Sequence, residues 1–369
     1  MYIKILLFIF IFIKCSYSQQ IIKNDNTGGG IPFVEVYSDN GDLIGLTSNE
    51  GVISSDLNKK INSSNSKNII FVHFAFEKKT IALEDYKNAI YLELTTKSIS
   101  LQEVVISNNF KKKYLKLKGY FRSSQINENR VQYYIDGIVE FYISNVTEKV
   151  KMKIINHRTF ENRNIPQLSK RYYFLVAGVP MINDFIKFEN LSKEYNLDFT
   201  EKNVVKIIDS KYKKNKGIIS AENNNLNSLQ LEITSYENPK IMKFLGMESH
   251  LNNYNISSVY DSSENFKVNF KDMIYFKEIR EYEIKRKKKD NFTKVDAIHE
   301  FFLIDKEYTN DLGIGNFDDF YSFRSNSFYD NNYWENIPNV IYQSLPLSLE
   351  TDIKSNLKEN KNTYQKKQQ

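Results

Sequence analysis

The chain has 369 residues, of which 41% are apolar and 14% aromatic, with only 13 Gly and 6 Pro. That composition excludes a disordered or collagen-like chain and leaves enough material for two domains of ordinary size. The formal net charge of +6 is mild for this length, and with no nucleic-acid-binding motif present, nucleic acid is not an expected partner.

The first element is an export signal, Met1–Ser18. Lys4 supplies positive charge ahead of the unbroken apolar run Ile5 to Ile13, and Ser16-Tyr17-Ser18 sets small residues before a cut between Ser18 and Gln19. The run is roughly half as long as the ~20 residues a membrane-spanning helix needs. Cys15 is the single cysteine, and Lys14 before it does not suit lipid modification. A mature chain starting at Gln19 therefore has no disulfide, no thiolate nucleophile and no Cys-ligated metal. The expected address is outside the cytoplasm: periplasmic, outer-membrane associated or secreted.

Short apolar runs then alternate with turn residues. Gln20–Lys23 is extended, Asp25 to Gly30 is a turn cluster, and Pro32-Phe33-Val34-Glu35-Val36 alternates like a strand. Asn40-Gly41 is a strong hairpin signal, because both positions of such a turn need positive φ. Leu43–Thr47 returns, Ser48–Gly51 turns and Val52–Ser54 resumes. Asn58–Lys67 reads as a polar loop, followed by strands at Ile69–Phe74, Ile90–Leu94 and Val104–Ser107. About seven short strands in this span predict an antiparallel β-sandwich.

Three features of residues 19–107 carry a family resemblance: the strand Ile31-Pro32-Phe33-Val34-Glu35-Val36-Tyr37, the turn Thr47-Ser48-Asn49-Glu50-Gly51, and the closing Leu101-Gln102-Glu103-Val104-Val105-Ile106-Ser107. The stretch resembles the carboxypeptidase-regulatory-like family of β-sandwich modules, related to collagen-binding B-type repeats and transthyretin-like domains. His73-Phe74-Ala75-Phe76 departs from the Gly-Tyr strand end typical of that family. The resemblance implies a non-catalytic sandwich of the kind found at the N-termini of exported and outer-membrane proteins of some Gram-negative bacteria. It implies no peptidase activity.

Residues 108–118 are polar and basic, which predicts a linker. Residues 119–357 read as a larger antiparallel β-rich domain with one or two helices. Gln132–Gly137 with Ile138–Ile143 form a strand pair or one bent strand, and Glu148–Ile155, Val204–Ile208, Leu229–Thr234 and Phe266–Phe270 are further strands. Ile274–Lys285 and Val295–Ile304 predict a long hairpin around the basic run Lys285-Arg286-Lys287-Lys288-Lys289. Met181–Leu191 has helical spacing, as does the stripe Leu349, Ile353, Leu357. The tail 358–369 is polar and reads as disordered. The fold class expected is mainly β.

No catalytic, cofactor or metal site stands out. The four histidines, His73, His157, His250 and His299, are scattered, and His299-Glu300 sits in a strand, where adjacent side chains face opposite ways. No zinc-peptidase signature, nucleophile elbow or phosphate-binding loop occurs. Glu140 and the pair Asp318-Asp319 are the acids that suit glycoside hydrolysis, and residues 311–330 are rich enough in Asp, Asn and Gly to raise calcium, without the EF-hand spacing. Trp334, the single tryptophan, could stack on sugar but reads as a packing anchor. The expected function is an exported, non-enzymatic binding or scaffold protein of the bacterial envelope, whose partner would be an envelope protein, glycan or lipid. Two alternatives stand beside it: a periplasmic carrier of lipid or another apolar ligand, and a glycan-active enzyme with an accessory sandwich.

Overall fold

The computed structural model describes residues 20–97 and 112–361, except 40–42, 49, 74, 129, 148, 163, 165–187, 202–203, 222–225, 236, 263, 314, 319–325 and 338–355. The leader with its cut between Ser18 and Gln19, the Asn40-Gly41 turn and the strand Val104–Ser107 lie outside these residues. The protein is mainly β, as expected, and divides into two compact units, Met1–Ile99 and Ser100–Gln369.

In the first unit the elements are β1 (Ile21–Asn24), β2 (Glu35–Ser38), β3 (Leu43–Leu46), α1 (Ser55–Ser63), β4 (Asn68–His73), β5 (Phe76–Ala82), α2 (Leu83–Asn88) and β6 (Tyr91–Leu94). Four strands form an antiparallel sheet in the order β3-β2-β4-β5, and β1 pairs with β6. Ile22 of β1 and Leu92 and Leu94 of β6 share one buried core with Val36, Ile69 and Phe71 of the larger sheet, so the two sheets are joined through their side chains. The β1–β6 pair is parallel rather than antiparallel. That is possible because the whole unit, helices included, forms the crossover between them. Ser48 organises the predicted turn: its Oγ accepts from the N–H of Glu50 and of Val52, each at 3.1 Å. Gly51 closes it at φ +74°, where a Cβ would strike the backbone of Ile31.

The expected loop Asn58–Lys67 is instead largely helix. Ser54 caps α1 by accepting from the Leu57 N–H at 3.1 Å, and Leu57 and Ile61, four residues apart, are both buried. The abundance of Asn, Ser and Lys masked that two-residue stripe.

The second unit is built on one 12-stranded sheet. Its strands are β7 (Tyr114–Asn127), β8 (Arg130–Ser144), β9 (Val150–Glu161), β10 (Tyr195–Glu201), β11 (Val204–Asp209), β12 (Asn215–Ala221), β13 (Leu226–Thr234), β14 (Lys240–Phe244), β15 (Met247–Asp261), β16 (Met273–Lys285), β17 (Thr293–Thr309) and β18 (Lys358–Glu359); α3 is Phe188–Glu194. The order is β10-β11-β12-β13-β15-β16-β17-β7-β8-β9-β18, with β14 joined to β15 alone, and the pairing is antiparallel throughout. Period-two alternation gives the sheet two different faces. One carries Val205, Ile219, Leu229, Ile256, Phe276, Phe301, Phe121 and Phe141, members of a single buried cluster that runs from β11 to β9.

Of the two readings of residues 132–143, the single strand is found: β8, whose partner β9 is bulged opposite Ile138 and Val139. Other expectations are corrected. Phe266–Phe270 is a turn leading into a 3₁₀ segment rather than a strand, with Phe266 at φ +63°. The predicted linker 108–118 already contains strand from Tyr114, because Leu115 and Leu117 alternate into the core while Lys116 pairs with Glu307 and lies 3.8 Å from Glu140. The predicted disordered tail begins as β18, which completes the edge of β9. The long hairpin is found as predicted, in β16 and β17. Of the helical expectations, α3 takes in the end of Met181–Leu191, whose residues 181–187 lie outside the described residues, as do Leu349 and Ile353.

Gly119 marks a point of close approach on the core face. A Cβ there would overlap the Phe301 ring and the Phe302 carbonyl oxygen, next to the edge-on pair Phe141–Phe301 at 5.3 Å. Gly119→Ala is expected to cost about 1–3 kcal/mol by overpacking, read as a lower urea midpoint at unchanged slope.

Candidate functional site

Of the acids that suited glycoside hydrolysis, the two described ones, Glu140 and Asp318, each make a local structural contact. Glu140 accepts from the Tyr142 hydroxyl at 2.7 Å. Asp318 is a backbone tie: its Oδ2 accepts from the Ile154 N–H at 2.7 Å and its own N–H donates to the Met152 carbonyl at 2.8 Å. Asp319 lies outside the described residues. Asp311, in the stretch considered for calcium, accepts from the Gly313 N–H at 2.8 Å. The histidines stay separate too. His73 accepts from the Ala75 N–H, His157 Nε2 meets the Asn326 carbonyl at 2.8 Å, His250 meets Glu248 at 2.7 Å and His299 meets the Ser123 hydroxyl at 3.0 Å. No group of three or more His, Cys, Asp or Glu side chains suited to a metal occurs among the described residues.

The structure assembles something different on the face opposite the apolar cluster. Strand register sets Lys277, Glu300, Arg122, Asp136 and Arg158 in one row across β16, β17, β7, β8 and β9. The signs alternate along that row, so each charge lies beside its opposite. Arg122 Nε reaches Glu300 Oε2 at 2.5 Å, Lys277 lies 3.7 Å from Oε1, and the Tyr275 hydroxyl donates to Oε1 at 2.9 Å. Burial pushes the Glu300 carboxyl up, but Arg122 and Lys277 outweigh it and bring it down to about 2.

Asp136, fully buried, is the most densely bonded acid in the row. Arg158 approaches it with Nε at 3.0 Å and Nη2 at 2.5 Å, Tyr120 and Tyr134 each donate at 3.2 Å, and Tyr333 donates at 2.6 Å. Burial, reinforced by the Asp136 charge, drives the Tyr134 and Tyr333 phenols far above their ordinary range, which keeps them protonated as donors. Trp334 closes the arrangement: the Arg158 guanidinium sits 4.0 Å from its ring centroid, and Tyr329 and Tyr333 meet it edge-on at 5.1 Å. The tryptophan is therefore a packing anchor, as expected, with the arginine stacked on it. Asp136 thus ties together side chains from β7, β8, β9 and the Tyr333 segment through a single carboxyl group.

A second polar patch lies on the apolar face. Gln125, Ala297 and Arg280 stand in one row, with Asn127 and Val295 in the next. Glu278 accepts from Arg280 at 2.8 Å and from Tyr254 at 3.0 Å, and Gln125 donates to Asn127 at 3.0 Å. Gln125 Oε1, Asn127 Nδ2 and Arg280 Nε are buried without a hydrogen-bond partner among the described residues. The small Ala297 side chain thus separates polar groups with unused capacity.

No family model matches the chain, and no curated protein matches it. One similar solved structure is of lipovitellin, described by its lipid–protein interactions, at 9% identity with a TM-score of 0.29. The match covers 58% of this chain and 28% of that one, and so low a score shows no shared fold.

Proposed function

We propose that the chain is an exported, non-enzymatic binding or scaffold protein, with the large sheet as a rigid support. The observation that supports this reading is the commitment of the sheet's buried ionisable groups to one another. Asp136 accepts from Arg158 and three phenols, and Glu300 from Arg122 and Tyr275, so the acceptor capacity of both carboxyl groups is taken up inside the sheet. Purified protein is expected to turn over no substrate in a broad hydrolase screen that includes glycosides. Turnover that disappears in Asp318→Asn would replace this reading with the glycan-active alternative.

A second reading, a carrier of an amphiphile, draws on the polar patch around Ala297. It adjoins a face that is otherwise apolar over most of the sheet, the combination an acyl chain with a polar head requires. Native mass spectrometry of protein recovered from its own host tests it. A co-purified amphiphile is expected on this reading, and an unliganded mass would reject it.

A further inference from the structure

One end of the sheet carries an arm that nothing above uses. β15 is long enough to pair first with β14 and then with β13, so β14 with the start of β15 projects as a hairpin flanked by the ends of β16 and β17. Its tip is a two-residue turn, Leu245 at φ +46° and Gly246 at φ +83°, closed by the pair Phe244–Met247. Both positive φ values match the tight hairpin turn, so the tip is preorganised. Every residue of β14 is exposed. Phe244 is 65% exposed, Leu245 83%, Ile241 53% and Met242 45%. This is a concentrated apolar finger, unlike the scattered exposed side chains of an ordinary surface.

Cations surround that finger. Lys240 and Lys243 lie on β14 itself, and the row Lys243–Glu248–Lys285 ties it to β16 through ion pairs of 3.7 and 3.0 Å. The neighbouring loop continues as Arg286, Lys287, Lys288 and Lys289, all exposed. Asp290 folds that loop back, accepting from the Lys287 N–H at 3.0 Å, and Phe292 lies beneath Lys285 at 4.3 Å. The acids present, Glu248, Glu283 and Asp290, are outnumbered by the basic groups named. Leu245 and this basic loop therefore lie at two adjacent hairpin ends on the same end of the sheet.

We propose that this arm is a peripheral docking site for an anionic lipid bilayer, with Phe244 and Leu245 entering the interface and the Lys285–Lys289 loop contacting headgroups. Apolar side chains at a tip lose water on insertion, while the basic loop gains from the negative surface potential. Each part alone binds weakly, and together they supply the two signals that stable peripheral attachment requires. The inference goes beyond the scaffold reading and stands whether or not the sheet carries a ligand.

The test places a reporter on the finger of the full chain, Phe244→Trp, and compares it with wild type, whose single Trp334 is stacked on Arg158 away from the arm. Phosphatidylcholine vesicles with brominated acyl chains are added with and without phosphatidylglycerol. The emission contributed by position 244 is expected to shift to shorter wavelength and be quenched when phosphatidylglycerol is present, while wild-type emission is not. Lys287→Glu/Lys288→Glu/Lys289→Glu should weaken vesicle binding at least about tenfold, and molar salt should weaken it similarly. These residues are exposed, so an unchanged melting curve verifies that each variant is folded. Emission from position 244 that is indifferent to brominated anionic vesicles overturns the proposal, as does binding that survives the triple charge reversal.

Discussion

Asp136→Ala is expected to lower the unfolding free energy by about 3–5 kcal/mol, the range for removing one partner of a buried ion pair. The substitution leaves the Arg158 guanidinium and the Tyr120, Tyr134 and Tyr333 hydroxyls directed at a vanished acceptor. Each of those groups gave up water on folding, so the loss comes from stranded donors more than from a missing attraction. Tyr333→Phe removes a single donor from the same carboxylate and should cost much less, about 1–2 kcal/mol. Urea titration at neutral pH reads both, with the order Asp136→Ala well below Tyr333→Phe below wild type. Equal midpoints for the two variants would show that the network carries no special weight.

The Arg122–Glu300 pair gives the second large effect, and it is pH-dependent. The Glu300 carboxyl lies at about 2 in the folded chain against an ordinary 4.5. A depressed acid stabilises fully above its unfolded value, and that contribution is lost as pH falls through the folded one. Between about pH 4.5 and 2 the unfolded chain takes up the proton first, so stability should fall steadily with acid. Glu300→Gln should be less stable than wild type at neutral pH and show a flatter acid limb across this window. Arg122→Met should be the harsher change, because it leaves an ionised carboxylate buried beside Lys277 alone, at a cost of about 3–5 kcal/mol. Denaturant titrations repeated from pH 7 to pH 2 check both slopes.

The strand-rich class and the hairpin in β16 and β17 were legible because aromatic and β-branched residues alternate there against clear turn chemistry. The start of β7 was not, since three lysines hid the inward pair Leu115 and Leu117. α1 was missed because Ser, Asn and Lys surround its two apolar residues. The row from Lys277 to Arg158 could not be read from one sequence at all. Arg122 and Glu300 lie 178 positions apart, and only the register of β17 on β7 makes them neighbours. A partial signal existed in β8, where Asp136 stands between apolar positions on both sides in a strand with little polar alternation. An acid there must find partners, though nothing local names them. The polar groups around Ala297 are hidden for the same reason: they meet across β7, β17 and β16.

The most direct measurement of whether the charged row holds the sheet together is a double-mutant cycle on Asp136→Ala and Arg158→Ala by urea unfolding. Strong non-additivity is predicted, with the double variant about as stable as Asp136→Ala alone or more so, because the second change removes the stranded cation. Losses that simply add would mean that the two side chains act independently, and the account of the sheet as a structure locked by its own charges would be wrong.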